Sequence, residues 1–138
     1  MTLSTGVPAI VVDASVAIEF LNDDPRWAER WLAWANAGAL LLVPAHFPAE
    51  IGNGLVRGPR LAASDAWARL DRLFASGVEV ADRGLVGLRE AIDLASRHQL
   101  TVYDALYLQL ALDVEGELAT LDMDLQRAAT AEAVALVG

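Results

Sequence analysis

The segment AIVVDASVAIEFL, Ala9 to Leu21, decides the fold. Ala9-Ile-Val-Val12 is a short, unbroken apolar run, the pattern of a strand buried on both faces. It ends at Asp13, and SVAIEFL then looks helical. The same change recurs downstream, where Ala39-Leu-Leu-Leu-Val43 is closed by Pro44 and followed by a helix through Glu50, Asn53 and Arg57. Gly77-Val-Glu-Val80, Glu117-Leu-Ala-Thr120 and Ala133 to Val137 read as third, fourth and fifth strands. Short apolar strands alternating with helices specify an α/β protein. The expectation is a three-layer α/β/α domain with a central parallel sheet of about five short strands.

The remaining helices follow from caps and spacing. Pro25 opens a helix on which Trp27, Trp31 and Trp34 recur on one face, a pattern more often core than ligand site. Ser64 is expected to cap DAWARLDRLFA, with Trp67, Leu70 and Phe74 sharing a face. Leu85 to His98, Thr101 to Leu112 and Asp122 to Ala129 complete the set. Tyr103 and Leu106 through Leu112 are expected in the core. Gly52 and Gly54 should weaken their helix by about 1 kcal/mol each.

The totals exclude whole classes of chemistry. The 138 residues fit a single domain, 1–138, without repeats or linkers, and 55% hydrophobic content argues against disorder. No cysteine is present, so there are no disulfides, zinc-thiolate sites or thiol nucleophiles. Every basic residue except the two histidines is arginine, which removes the P-loop lysine and Schiff-base chemistry. The opening MTLSTGVPAIVVD lacks a basic region before its apolar run, and AGALLLVPAHFPAE is too short to span a bilayer. A cytoplasmic protein without membrane association is expected. The net charge of −9 argues weakly against nucleic acid as a partner.

In open α/β folds, sites form beyond the carboxyl ends of the strands. Asp13 and Ser15 follow the first strand there, and Thr120, Asp122 and Asp124 lie at and after the fourth. Glu50 lies on the helix after the second strand, and Asp104 in the first turn of the helix before the fourth. Each acid has an ordinary explanation. Asp13 and Asp122 can cap the helices they precede, Glu50 can be a solvated charge, and Thr101-x-x-Asp104 matches a capping box. Convergence weighs against these explanations. At an effective dielectric of about 20, two charges about 4 Å apart repel by roughly 4 kcal/mol. Such a cluster persists when protons or cations neutralise it. Oxygen donors alone, with His46 and His98 poorly spaced as metal ligands, favour Mg²⁺ or Mn²⁺, the ions of two-metal phosphodiester cleavage.

The ordered set VVDAS, EIGN, YDALYLQLA and LATLDMDL resembles a PIN domain, and the near-complete coverage is most similar to the VapC-type toxins of toxin–antitoxin pairs. The resemblance implies a metal-dependent endoribonuclease with Asp13, Glu50, Asp104 and Asp122 as catalytic, metal-binding quartet. Ser15 would support Asp13, Thr120 would line the same edge, Asn53 would brace Glu50, and Asp124 would be secondary to Asp122. It further implies an RNA substrate, a homodimer, and a small cognate antitoxin of the VapB type that inserts into the acidic groove. Separately from the resemblance, Arg57, Arg60, Arg69 and Arg72 lie on consecutive helices and are either a patch that holds phosphates or simply solvated faces. The helix carrying Glu50 departs from the family norm in its two glycines and Pro48. Two other readings are a phosphoaspartate enzyme or receiver acting through Asp13, which lacks its supporting lysine, and a non-catalytic interaction module using the tryptophan stripe.

Overall fold

The computed structural model describes residues 7–137; the question of a leader at Met1 to Gly6 lies outside them. Four strands, β1 (Ala9–Val12), β2 (Leu40–Val43), β3 (Val78–Val80) and β4 (Glu117–Ala119), form a wholly parallel sheet in the order β3-β2-β1-β4. Ile10, Val11 and Val12 of the interior strand β1 are all buried. Val11 faces Leu42 on one side and Leu118 on the other. An apolar strand with no alternation is what a position covered on both faces requires.

Seven helices surround the sheet among the described residues: α1 (Ala14–Leu21), α2 (Pro25–Asn36), α3 (Phe47–Arg57), α4 (Ala63–Ala75), α5 (Gly84–His98), α6 (Val102–Asp113) and α7 (Met123–Ala131). Helix α1 contacts α2, α3 and α4, α3 packs on α4, and α6 joins α5 and α7 while lying against β1 and β4. The strand sequence moves from β1 outward through β2 to β3, then returns to place β4 on the other side of β1. The carboxyl ends of β1 and β4 therefore flank a topological switch point.

The expected fifth strand is reduced to a single bridge between Leu118 and Leu136. β4 is itself only three residues long, and Ala133 at φ 62° turns the chain sharply just before the pairing begins. The tryptophan stripe is core: Trp27 and Trp31 are buried, Phe20 stacks on Trp31 at 4.0 Å, and the Trp31 indole N–H donates to Ser76 Oγ. Helix α4 differs from expectation. Its cap is Ala62, without a side-chain bond, and its buried residues are Ala66 and Leu73, so Trp67 turns outward at 63% exposure. Tyr103 and Leu112 are likewise exposed and Leu106 is partly buried, while Leu108, Leu110 and Ala111 are buried as expected. No helix among the described residues is long and apolar enough to cross a membrane.

Two glycines in this frame have opposite roles. A Cβ on Gly116 would stand 2.6 Å from the Ala9 carbonyl oxygen, so the turn from α6 into β4 requires the missing side chain. A Cβ on Gly52, within α3, meets nothing within 4 Å. Gly116→Ala is expected to destabilise by about 1–3 kcal/mol through overpacking. Gly52→Ala should stabilise by about 0.5–1 kcal/mol through helix propensity. Urea denaturation of the two variants reads both signs.

Candidate active site

Asp13 stands at the carboxyl end of β1, and its backbone N–H continues the sheet by donating to the Ala119 carbonyl. Its side chain caps α1, Oδ1 accepting from the Val16 N–H at 3.2 Å. The same oxygen accepts from Ser15 Oγ at 2.6 Å, and Oδ2 accepts from the Thr120 hydroxyl. Both hydroxyls have a second partner on the β4 side. Ser15 Oγ accepts from the Leu121 N–H at 3.0 Å, and Thr120 Oγ1 accepts from the Asp122 N–H at 3.0 Å. Asp122 in turn caps α7 through the Leu125 N–H. The capping explanations for Asp13 and Asp122 are thus locally true, and the caps hold both acids at the switch point.

Glu50 reaches the groove from the first turn of α3. Its Oε1 accepts from the Tyr107 hydroxyl at 2.6 Å, and His46 Nε2 lies 3.5 Å away. Asn53 is exposed, and no hydrogen bond joins it to Glu50 among the described residues; the brace is Tyr107 instead. Tyr107 is almost wholly buried on α6, three residues after Asp104 and so on a neighbouring position of the same face. Sequence reading placed it in the core, where its apolar bulk does lie. Thr101 caps α6 by accepting the Asp104 N–H at 3.1 Å, so this half of the capping box is formed.

The electrostatics tie the four acids together. Burial pushes Asp13 up to about 6 against its hydrogen bonds, and the charge of Glu50 adds to the rise. Burial also raises Glu50, the Tyr107 bond opposing and Asp104 adding. Asp104 is raised by burial first, then by Asp122, with a smaller push from Asp124. The Tyr107 hydroxyl is driven far up by burial and by its bond to Glu50, so it acts as a donor and stays protonated. Each acid therefore senses its neighbour from Asp13 through Glu50 and Asp104 to Asp122. Asp124 is exposed and pairs with Arg127 at 3.4 Å, outside this hydrogen-bonded set.

The donor set suits a hard divalent cation. It consists of carboxylate oxygens that oppose one another's ionisation, and Asp13 uses three of its roughly four lone-pair sites, leaving one. Among the described residues no three acidic or imidazole groups close around one point.

The tentative phosphate-binding arginines divide. Arg57 ends α3, two turns beyond Glu50 on the same stripe, and Arg60 lies in the following loop at φ 58°. Arg72 pairs with Asp23 at 2.8 Å and Arg69 reaches Asn22, so these two brace the α1–α2 turn.

Parallel strands with carboxylates gathered at the switch point define an α/β class of acidic-site proteins. The PIN domain family's sequence model matches residues 10–131, and the chain belongs to that family. The chain is 34% identical over 123 residues to Ribonuclease VapC3 of Pyrobaculum aerophilum, covering 84% of this chain and 91% of that one. Solved structures share the fold as well. VapBC2 from Rickettsia felis, bound to a DNA fragment from its promoter, matches with a TM-score of 0.73 at 15% identity, covering 94% of this chain and 97% of that one. The sarcin-ricin loop cleaving toxin VapC20 of Mycobacterium tuberculosis matches with a TM-score of 0.68 at 19% identity, covering 86% and 94%.

The raised Asp13 carboxyl has a definite effect on stability. Its folded value of about 6 lies above the ordinary 3.8, so folding favours its protonated form. That contribution is complete below about pH 4 and lost as pH rises through 6, on the order of 3 kcal/mol. In ion-free protein, Asp13→Asn should raise Tm at pH 7, with the gain vanishing towards pH 4. A lower Tm for the variant at pH 7 would mean that the hydrogen bonds to the charged form outweigh burial.

Proposed function

We propose that this chain is a divalent-metal-dependent endoribonuclease, the toxin of a toxin–antitoxin pair, with residues 1–138 forming one PIN domain. The observation that carries the reading is the buried Asp13 carboxyl at the switch point, raised to about 6 beside Glu50 and linked through it to Asp104 and Asp122. Such groups cluster where chemistry needs them, because a scaffold gains nothing from mutually opposed charges. Membership of the PIN family and the likeness to a curated VapC ribonuclease support the same reading.

Asp13, Glu50, Asp104 and Asp122 would hold Mg²⁺ or Mn²⁺, with Asp124 at the margin. When bound, the ion supplies positive charge for the phosphoryl oxygens and acidifies a water. The chain's own residues supply the geometry. Ser15 and Thr120 fix the orientation of Asp13, and the Tyr107 hydroxyl fixes one oxygen of Glu50, leaving the other for the groove. Arg57 and Arg60 would hold RNA phosphates beyond the acidic groove. The partners would be RNA, a second copy of the chain, and a small antitoxin that occupies the groove; the likeness of the fold to VapBC2 supports an antitoxin partner.

The alternative readings lose their support. A phosphoaspartate role requires an open Asp13, whereas this carboxylate is 5% exposed and accepts three hydrogen bonds. An interaction module built on the tryptophan stripe requires an outward face, and Trp27 and Trp31 are buried.

Asp13→Asn and Asp104→Asn should each abolish cleavage of single-stranded RNA while thermal unfolding remains cooperative, and a chelator should do the same to the parent protein. Tyr107→Phe keeps the packing and removes only the donor to Glu50, so a loss of about 10- to 100-fold in activity is expected. Mapping new RNA ends with and without Mg²⁺ checks all of these. Full activity in either Asn variant, or in chelator, would refute the reading.

A further inference from the structure

A pocket of about 410 Å³ adjoins the acidic groove, lined by His46, Ala49, Glu50, Thr101, Tyr103 and Asp104. Glu50 and Asp104 are its acidic lining, and of the other four residues His46 and Tyr103 carry rings. Tyr103 is 66% exposed although most of α6 is buried, so its ring contributes little to the core. That ring centroid lies 5.8 Å from the His46 ring, which in turn meets Tyr107 edge-on at 5.0 Å. His46 is held from both sides, its Nε2 3.5 Å from Glu50 Oε1 and its ring beside Tyr103, so it fixes the back of the pocket and leaves the Tyr103 ring as its open aromatic face.

We propose that this pocket receives one nucleobase of a single-stranded RNA, next to the phosphodiester at the acidic groove, stacked on the exposed Tyr103 ring. The inference rests on the ribonuclease reading and names the base subsite of that same site. The adjoining carboxylates repel a phosphate, so the phosphate belongs on the metal side and an uncharged, flat group belongs here. A nucleobase meets this requirement, presenting a π-face to the exposed tyrosine ring and carrying no charge.

The test uses the full-length Asp13→Asn protein, so that RNA is bound and not cut. A labelled single-stranded decamer carries one abasic position at a time, and affinity is read by fluorescence anisotropy in Mg²⁺. At one position, removing the base should weaken binding about 5- to 100-fold, the range for base–aromatic stacking. Adding Tyr103→Ala should weaken binding of intact RNA equally and make that abasic position silent. Adding Tyr103→Phe should leave the parent pattern. Unchanged affinity in the Tyr103→Ala protein, equal loss at every position, or no RNA binding at all overturns the subsite. Should the Tyr103 pattern appear while the protein with Asp13 intact cuts no RNA, the ribonuclease reading fails and the subsite stands. RNA cleavage with no dependence on Tyr103 has the opposite meaning.

Discussion

At the end of β1 the Asp13 carboxylate accepts hydrogen bonds from Ser15, from Thr120 and from the first turn of α1. Ser15 and Thr120 each hold a backbone N–H of the β4–α7 connection at the same time. The sheet is hydrogen-bonded only up to Ala119, and from there these two hydroxyls carry the connection across the switch point. The position of Asp122 depends on this clamp, because its N–H is held by the same Thr120 hydroxyl that donates to Asp13. Two acids from segments about a hundred residues apart in sequence are thereby fixed relative to each other by a single threonine.

The clamp also explains how a carboxyl 5% exposed is tolerated in a core of Val11, Val12 and Leu118. Burial disfavours its charge, and three donors offset part of that. What they leave is a carboxyl raised to about 6, which Glu50 raises rather than lowers. A protein selected only for stability would place an apolar residue or an unopposed cap here. The retained opposition is the kind of local conflict with folding that marks a functional site.

The alternation of strands and helices was legible because parallel strands buried on both faces must be unbroken apolar runs, and Ile10 to Val12 and Leu41 to Val43 are such runs. The fifth strand was not, since the apolar stretch ending at Val137 has the right composition but pairs at one residue only. Composition carries no information about where a neighbouring edge ends. Asp13 and Asp122 were legible from their place just after strands, whereas Glu50 and Asp104 lie within helices. Their supports were less legible: Tyr107 is a bulky residue in an apolar helix, and nothing in one sequence separates a core tyrosine from one whose hydroxyl reaches Glu50. Asn53 shows the reverse error, a polar residue at plausible spacing that faces solvent. Trp67 and Tyr103 fail for a third reason, because a helix pattern rich in apolar residues does not say which face is outward.

Net charge constrains how such a protein can hold RNA. With −9 overall, four of the ten arginines, Arg72, Arg83, Arg97 and Arg127, are engaged by acids of the chain itself and six stand outside these pairs. Affinity gained by releasing counterions scales with the number of phosphates neutralised, and the acidic total works against it. On the proposed function, two further sources that do not depend on a basic surface would add to it: a divalent ion among the acids, and contacts to the bases. Helix α6 is suited to both demands. Thr101 holds the Asp104 N–H, which fixes the first turn, and from that turn Asp104 and Tyr103 reach the same pocket while Tyr107 anchors Glu50 one turn on. The buried apolar length of α6 keeps these three side chains in register, which accounts for a carboxylate at the start of an otherwise apolar helix.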